Sequence, residues 1–140
     1  MPINKVENIL MKRPFWMNVV FLFCVYMTFV YLPWDVFIKP ISQDEEVWFG
    51  VLFYGWMAKV GGVVHWIVYA SLTYGLWRMT SWARLLIIVY LLQVAWSMVF
   101  WALLRDDPTS VWLNLILAMG FLFLSILFYR QKSRFKSELL

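Results

Sequence analysis

The sequence predicts an all-α integral membrane protein: one domain over residues 1–140, a four-transmembrane-helix bundle of two hairpins, with both termini in the cytoplasm. Three observations carry this. The chain is 64% hydrophobic and 14% charged, with a mean hydropathy of +0.73, where soluble domains run at roughly 45–50% apolar and 25% charged. Its apolar residues form continuous runs instead of alternating, so backbone groups that lipid cannot satisfy must pair within helices and not in a barrel. Its basic residues gather at alternate ends of those runs. At about 20 residues per span, 140 residues hold four helices and their connections.

Residues 1–13 are polar and carry Lys5, Lys12 and Arg13. Pro14 suits the first turn of a helix, and a span is expected over 15–32. The basic flank and apolar run mimic a secretory leader, but the run is too long and no small-residue cleavage pattern follows. Pro33, Trp34 and Asp35 are expected to end this span, because proline interrupts the hydrogen-bond ladder and tryptophan favours the headgroup layer. The connection that follows sets Asp44, Glu45 and Glu46 against Lys39.

The run 47–77 is too long for one crossing: as a single helix it measures about 46 Å, against about 30 Å of hydrocarbon. Gly61-Gly62 is its weakest point, since each glycine costs up to about 1 kcal/mol in a helix interior. The expected solution is an interfacial helix over 47–57, with Trp48 and Trp56 at headgroup depth, then a span over 60–77. One long tilted helix is the alternative. The stretch R-M-T-S-W-A-R from Arg78 to Arg84 is a basic turn. A third span is expected over 85–104, and Thr109 or Ser110 can cap a fourth over 111–129. Residues 130–140 form a basic tail.

Charge and tryptophan placement orient these spans. The amino terminus, the 78–84 turn and the tail hold nine of the twelve Lys and Arg, while the other two loops hold six of the eight carboxylates. The positive-inside rule then puts both termini in the cytoplasm of a bacterial inner membrane. Trp16, Trp77 and Trp82 fall at the inner interface, and Trp34, Trp48, Trp56, Trp101 and Trp112 at the outer one. The net charge of +4 is thus a topology signal; no basic face interleaved with aromatics suggests a nucleic-acid partner. The outer loops echo each other as D-E-E-V-W and D-D-P-T-S-V-W, an arrangement that a hairpin duplication or the common needs of outer loops would both produce.

Candidate chemistry lies in the second span. At 100° per residue Ala58, Gly61, Gly62, His65, Tyr69 and Thr73 share one stripe, and Ala58-x-x-x-Gly62 permits close helix approach. An ionisable group inside a span is a functional-site hypothesis by default, which singles out His65. Lys59, outward of it, either snorkels to the headgroups, pairs with Asp35 or the Asp44–Glu46 cluster, or forms a cationic lip for an anionic headgroup or a quinone carbonyl. Tyr90, Gln93 and Ser97 share a face of the third span, as do Asn114, Ala118 and Ser125 of the fourth; Cys24 and Thr28 are one turn apart in the first. The expected ligand-binding set is Lys59, His65, Tyr69 and Gln93. The expected helix-packing set is Ala58, Gly61, Gly62, Cys24, Thr28, Ser97, Asn114, Ala118 and Ser125.

Several functions are disfavoured. One cysteine, Cys24, allows no redox pair or thiolate cluster, and one histidine does not make a haem bundle, so no metal or cofactor is expected. The first span lacks the embedded carboxylate of small multidrug exporters, and the acids lie at span ends or in loops, unlike those of sterol isomerases. No catalytic pair is evident. The strings L-P-W-D-V-F-I-K-P, D-E-E-V-W-F-G, G-W-M-A-K, H-W and Y-G-L-W-R-M, spread over 14–84, resemble a family of small four-helix bacterial inner-membrane proteins. The resemblance implies a fold and a compartment, with no assigned activity. The expected function is a non-catalytic accessory or assembly subunit of a larger inner-membrane complex, with lipids and other integral subunits or further copies of itself as partners. The alternative is a binder or carrier of an amphipathic small molecule, lipid or quinone, around Lys59 and His65.

Overall fold

The computed structural model describes residues 13–104 and 108–135. Four long helices and one β-hairpin make up the fold: α1 is Phe15–Phe37, β1 Glu45–Trp48, β2 Val51–Tyr54, α2 Gly55–Arg78, α3 Ser81–Leu104 and α4 Pro108–Arg130. Among the described residues α1, α3 and α4 are long and apolar enough to cross a membrane. The 24 residues of α2 match them in length, about 36 Å, but Lys59, His65 and four glycines dilute its apolar character. Residues 105–107, the first twelve residues and 136–140, which carry much of the charge on which the expected orientation rests, lie outside the described residues.

Pro33 does not end α1. The helix widens into a π-helical stretch at Met27–Tyr31 and continues as an α-helix over Leu32–Phe37. In the wide register Leu32 N–H bonds to the Met27 carbonyl, so the next carbonyl, Thr28, would need an N–H from Pro33, which has none. The Trp66 indole of α2 supplies it at 2.8 Å. A proline that should break the helix thus frees one carbonyl, which ties α1 to α2.

The stretch 45–54 is not an interfacial helix. Val47-Trp48 and Val51-Leu52-Phe53-Tyr54 are apolar, β-branched or aromatic runs that suit strands, and they pair antiparallel with Trp48 opposite Val51. The two-residue turn has positive φ at both Phe49 (49°) and Gly50 (85°), the hairpin geometry that matches strand twist. Gly50 is required twice, since a Cβ there would also stand 2.9 Å from the Phe100 ring of α3. The D-E-E-V-W and P-T-S-V-W stretches therefore fold differently, the first as strand and the second as helix.

Nor is Gly61-Gly62 a break: α2 is continuous from Gly55 to Arg78. A Cβ on Gly61 would overlap the Glu46 carboxylate and the Trp48 indole, and one on Gly62 would lie 3.3 Å from Asp35 Oδ2 and 3.5 Å from Glu46 Oε1. The bare backbone seats the hairpin's side chains; the entropy cost of two glycines is offset by tertiary contact.

The helices close at the opposite end. Met79 adopts the left-handed conformation, and Thr80 N–H to Gly75 O (3.0 Å) with Met79 N–H to Leu76 O (3.3 Å) complete a Schellman cap on α2. A Cβ on Gly75 would overlap that of Ala83, so α2 and α3 touch at the backbone there. The dry core sits beside this seam, where Met17, Phe21, Leu72, Leu76, Ile87 and Phe128 are buried together. Arg13 donates to the Trp77 carbonyl at 3.0 Å and Arg84 to that of Tyr129 at 3.2 Å, so both guanidiniums satisfy orphan carbonyls at helix C-termini as well as marking a side. From the seam α2 and α3 diverge, the hairpin occupies the opening between them, and α4 packs chiefly along α3.

Candidate functional site

Two polar groupings meet where the hairpin enters the bundle. The first is a closed ion cluster joining α1, the connection after it and α2. Lys39 Nζ lies 3.1 Å from Asp35 Oδ1 and 2.5 Å from Asp44 Oδ1; Lys59 Nζ lies 3.1 Å from Asp44 Oδ2 and donates to the Asp35 carbonyl. Asp35, Asp44 and Lys59 are buried. Burial opposes charge on Lys39 and Asp44, but their hydrogen bonds outweigh it and hold Lys39 above and Asp44 below their usual ranges. Two acids and two bases compensate one another, and isolated buried charges would not persist.

The second grouping runs from β1 into α2 and α3. Glu46 and Trp48 project from one face of the strand. Trp48 Nε1 donates to Glu46 Oε2 at 2.9 Å, and its ring stacks on His65 at 4.1 Å between centroids. His65 Nε2 is 3.7 Å from Glu46 Oε2, and His65 Nδ1 is 2.5 Å from the Tyr90 hydroxyl, which bridges α2 to α3. Beyond Tyr90, Tyr69 packs edge-on at 5.3 Å. Glu46 has no lysine of its own. Burial first, then the charges of Asp35 and Asp44, push its carboxyl up to about 7, against the lowering influence of Trp48 and Lys39.

These residues border two cavities. A polar cleft of about 290 Å³ is lined by Glu45, Glu46, His65, Gln93, Ser97 and Asn114, with Val94, Met98 and Trp101. Gln93 Nε2 donates to Ser97 Oγ at 3.0 Å, while Gln93 Oε1 is buried with no partner. An apolar chamber of about 350 Å³ lies between the helices, lined by Phe23, Cys24, Tyr69, Leu72, Tyr90, Leu91, Phe121 and neighbouring aliphatics. Both include Val94, and the His65–Tyr90 hydrogen bond spans the boundary.

The four residues singled out for binding are thus divided. His65 and Gln93 line the polar cleft, Tyr69 lines the chamber, and Lys59 belongs to the ion cluster and to a separate outer groove with Val36, Phe37 and Trp56. Lys59 forms neither a free cationic lip nor a snorkelling surface charge. Ala58, Gly61, Gly62, Cys24, Thr28, Ser97, Asn114, Ala118 and Ser125 are all buried, and Ser97 and Asn114 also face the cleft. The sequence reading took Glu46 as part of an acidic loop cluster and Trp48 as a headgroup tryptophan of an interfacial helix; the runs flanking Phe49-Gly50 were the signal for a hairpin that carries them inward. Among the described residues no three His, Cys, Asp or Glu side chains converge as metal donors. No family model, curated protein or solved structure matches this chain.

Proposed function

We propose that this is a non-catalytic membrane protein that binds an amphipathic small molecule, with its headgroup in the polar cleft and its chain in the apolar chamber. The observation that carries this reading is the adjacency of the two cavities, polar and apolar, at Val94 and the His65–Tyr90 bridge. Binding sites for such molecules are concave and mostly apolar with a few convergent polar groups. An accessory or assembly subunit, which composition alone favours, requires no such paired cavities. We further propose four crossings, with α2 as the second, in a bacterial inner membrane with both termini cytoplasmic; the distribution of Lys and Arg supports that orientation.

The test is extraction of the chain in mild detergent, followed by native mass spectrometry. The expected spectrum carries a bound amphipath, lost from Val94→Trp, which fills the junction between the cavities. A ligand-free spectrum together with stoichiometric recovery of another integral membrane protein would instead favour the accessory-subunit reading.

A further inference from the structure

The walls of the polar cleft carry information about the headgroup they would accept. Among the described residues no Lys or Arg lines it. The nearby cations are engaged elsewhere: Lys39 is held by Asp35 and Asp44, and Lys59 by Asp44 and the Asp35 carbonyl. Two carboxylates, Glu45 and Glu46, do line it, with His65 as the one other titratable group.

Beside the Ser97 hydroxyl, the two amide side chains add acceptors and spend their donors internally. Gln93 is only 7% exposed; its Nε2 is given to Ser97, and Oε1 is left buried and unpartnered. Asn114 Nδ2 donates to the Ser110 carbonyl at 2.8 Å and approaches Ser110 Oγ at 3.4 Å, leaving its carbonyl oxygen as the group with capacity to spare. The Trp48 indole is given to Glu46, and His65 Nδ1 is engaged with Tyr90. The cleft therefore presents carboxylate and amide oxygens.

We propose, building on the amphipath-binding reading, that the headgroup is a primary ammonium: the ligand class is a long-chain aliphatic amine. An ammonium carries three donors and no acceptor, and Glu46, which the ion cluster leaves uncompensated, supplies its counter-charge above about pH 7, where its carboxyl is ionised. A phosphate or carboxylate headgroup would meet like charge with no lysine or arginine among the described lining residues to receive it. An alcohol would satisfy Gln93 Oε1 and leave Glu46 unpaired.

The experiment uses the full chain in phosphatidylcholine nanodiscs, with empty nanodiscs as the blank, titrated with dodecylamine, dodecanol and dodecyl phosphate. Dodecylamine is expected to bind at least about tenfold tighter than dodecanol, equivalent to about 1.4 kcal/mol, with dodecyl phosphate weakest. Glu46→Gln is expected to abolish the preference for amine and leave dodecanol affinity unchanged. Where Glu46→Gln loosens the hairpin, Gln93→Leu serves in its place and is expected to weaken the alcohol, whose one donor loses its acceptor, more than the amine, which keeps Glu46. Equal binding of amine and alcohol, tighter binding of phosphate, or an amine-to-alcohol ratio unchanged in both variants overturns the ammonium assignment while the amphipath reading stands. Failure of all three probes to bind overturns both.

Discussion

The two ends of the α2–α3 pair are built on opposite plans. At the Met79 turn the helices are drawn together until Gly75 meets Ala83, and the surrounding side chains form a dry core. At the other end the hairpin holds them apart, and its acidic and aromatic side chains lie on Gly61 and Gly62. Glycine serves both ends, in one to let a helix approach and in the other to let a carboxylate in. Small residues in a membrane helix therefore mark close approach without saying what approaches.

Substitutions that fill these glycines separate the two plans. Gly75→Leu brings the largest expected effect, because the opposing Ala83 cannot rotate away: a loss of about 3 kcal/mol, read as a lowered thermal midpoint in detergent, with the protein failing to extract as a folded species in the extreme case. Gly61→Ala should be milder, about 1–2 kcal/mol, since the atoms it meets are the ends of the Glu46 and Trp48 side chains, which can rotate. It should dislodge the hairpin specifically, so Val47→Cys in that background becomes reactive to a water-soluble maleimide while the Gly75 end is unchanged. Equal loss of both ends on Gly61→Ala would show that they fold as one unit.

Acid sharpens the contrast next. Glu46 has its folded-state pKa raised from 4.5 to about 7, so between those values the folded chain holds a proton that the unfolded chain releases. Its contribution is present below about pH 4.5 and is lost as pH rises through 7. Asp35, Asp44 and Lys39 face the same carboxylate, so the readout is the difference between the parent and Glu46→Gln. The variant should flatten the fall in thermal midpoint between pH 5 and pH 8; an unaltered slope would assign the pH dependence to another group.

The smallest effect belongs to the hairpin tip. Phe49 is 69% exposed yet holds a positive φ, a conformation asparagine accepts more readily. Phe49→Asn is expected to raise stability by about 0.5 kcal/mol, seen as slower maleimide labelling at Val47→Cys. Faster labelling would show that the Phe49 ring anchors the tip.

How much of this was legible depends on whether a residue's role is local. The apolar runs of α1, α3 and α4 announce membrane-crossing helices without tertiary help, and His65 stands out as an ionisable group among apolar neighbours. The hairpin was hidden because strands as short as E-E-V-W and V-L-F-Y have no period that distinguishes them from a helix, and Phe-Gly is not among the usual turn pairs. Gly61-Gly62 reads as weakness until Glu46 is seen on top of it, and of the alternatives that the sequence leaves for Lys59 the fold selects pairing with Asp44 and the Asp35 carbonyl. Pro33 looked like a stop because the carbonyl it orphans is answered from another helix, by Trp66.

That wide turn before Pro33 has an evolutionary reading. A π-helical stretch is one residue inserted into a helix without breaking it, and each residue rotates whatever follows by about 100°. Deleting a single position within 27–31 would restore an even ladder between the same groups, Met27 C=O and Leu32 N–H among them, so Asp35 and Lys39 would still face Asp44 and Lys59. The wide turn is thus the place in α1 where a one-residue change in chain length is absorbed, while the same change in the regular helix would turn Asp35 and Lys39 by about 100° and unseat the anchorage of the hairpin.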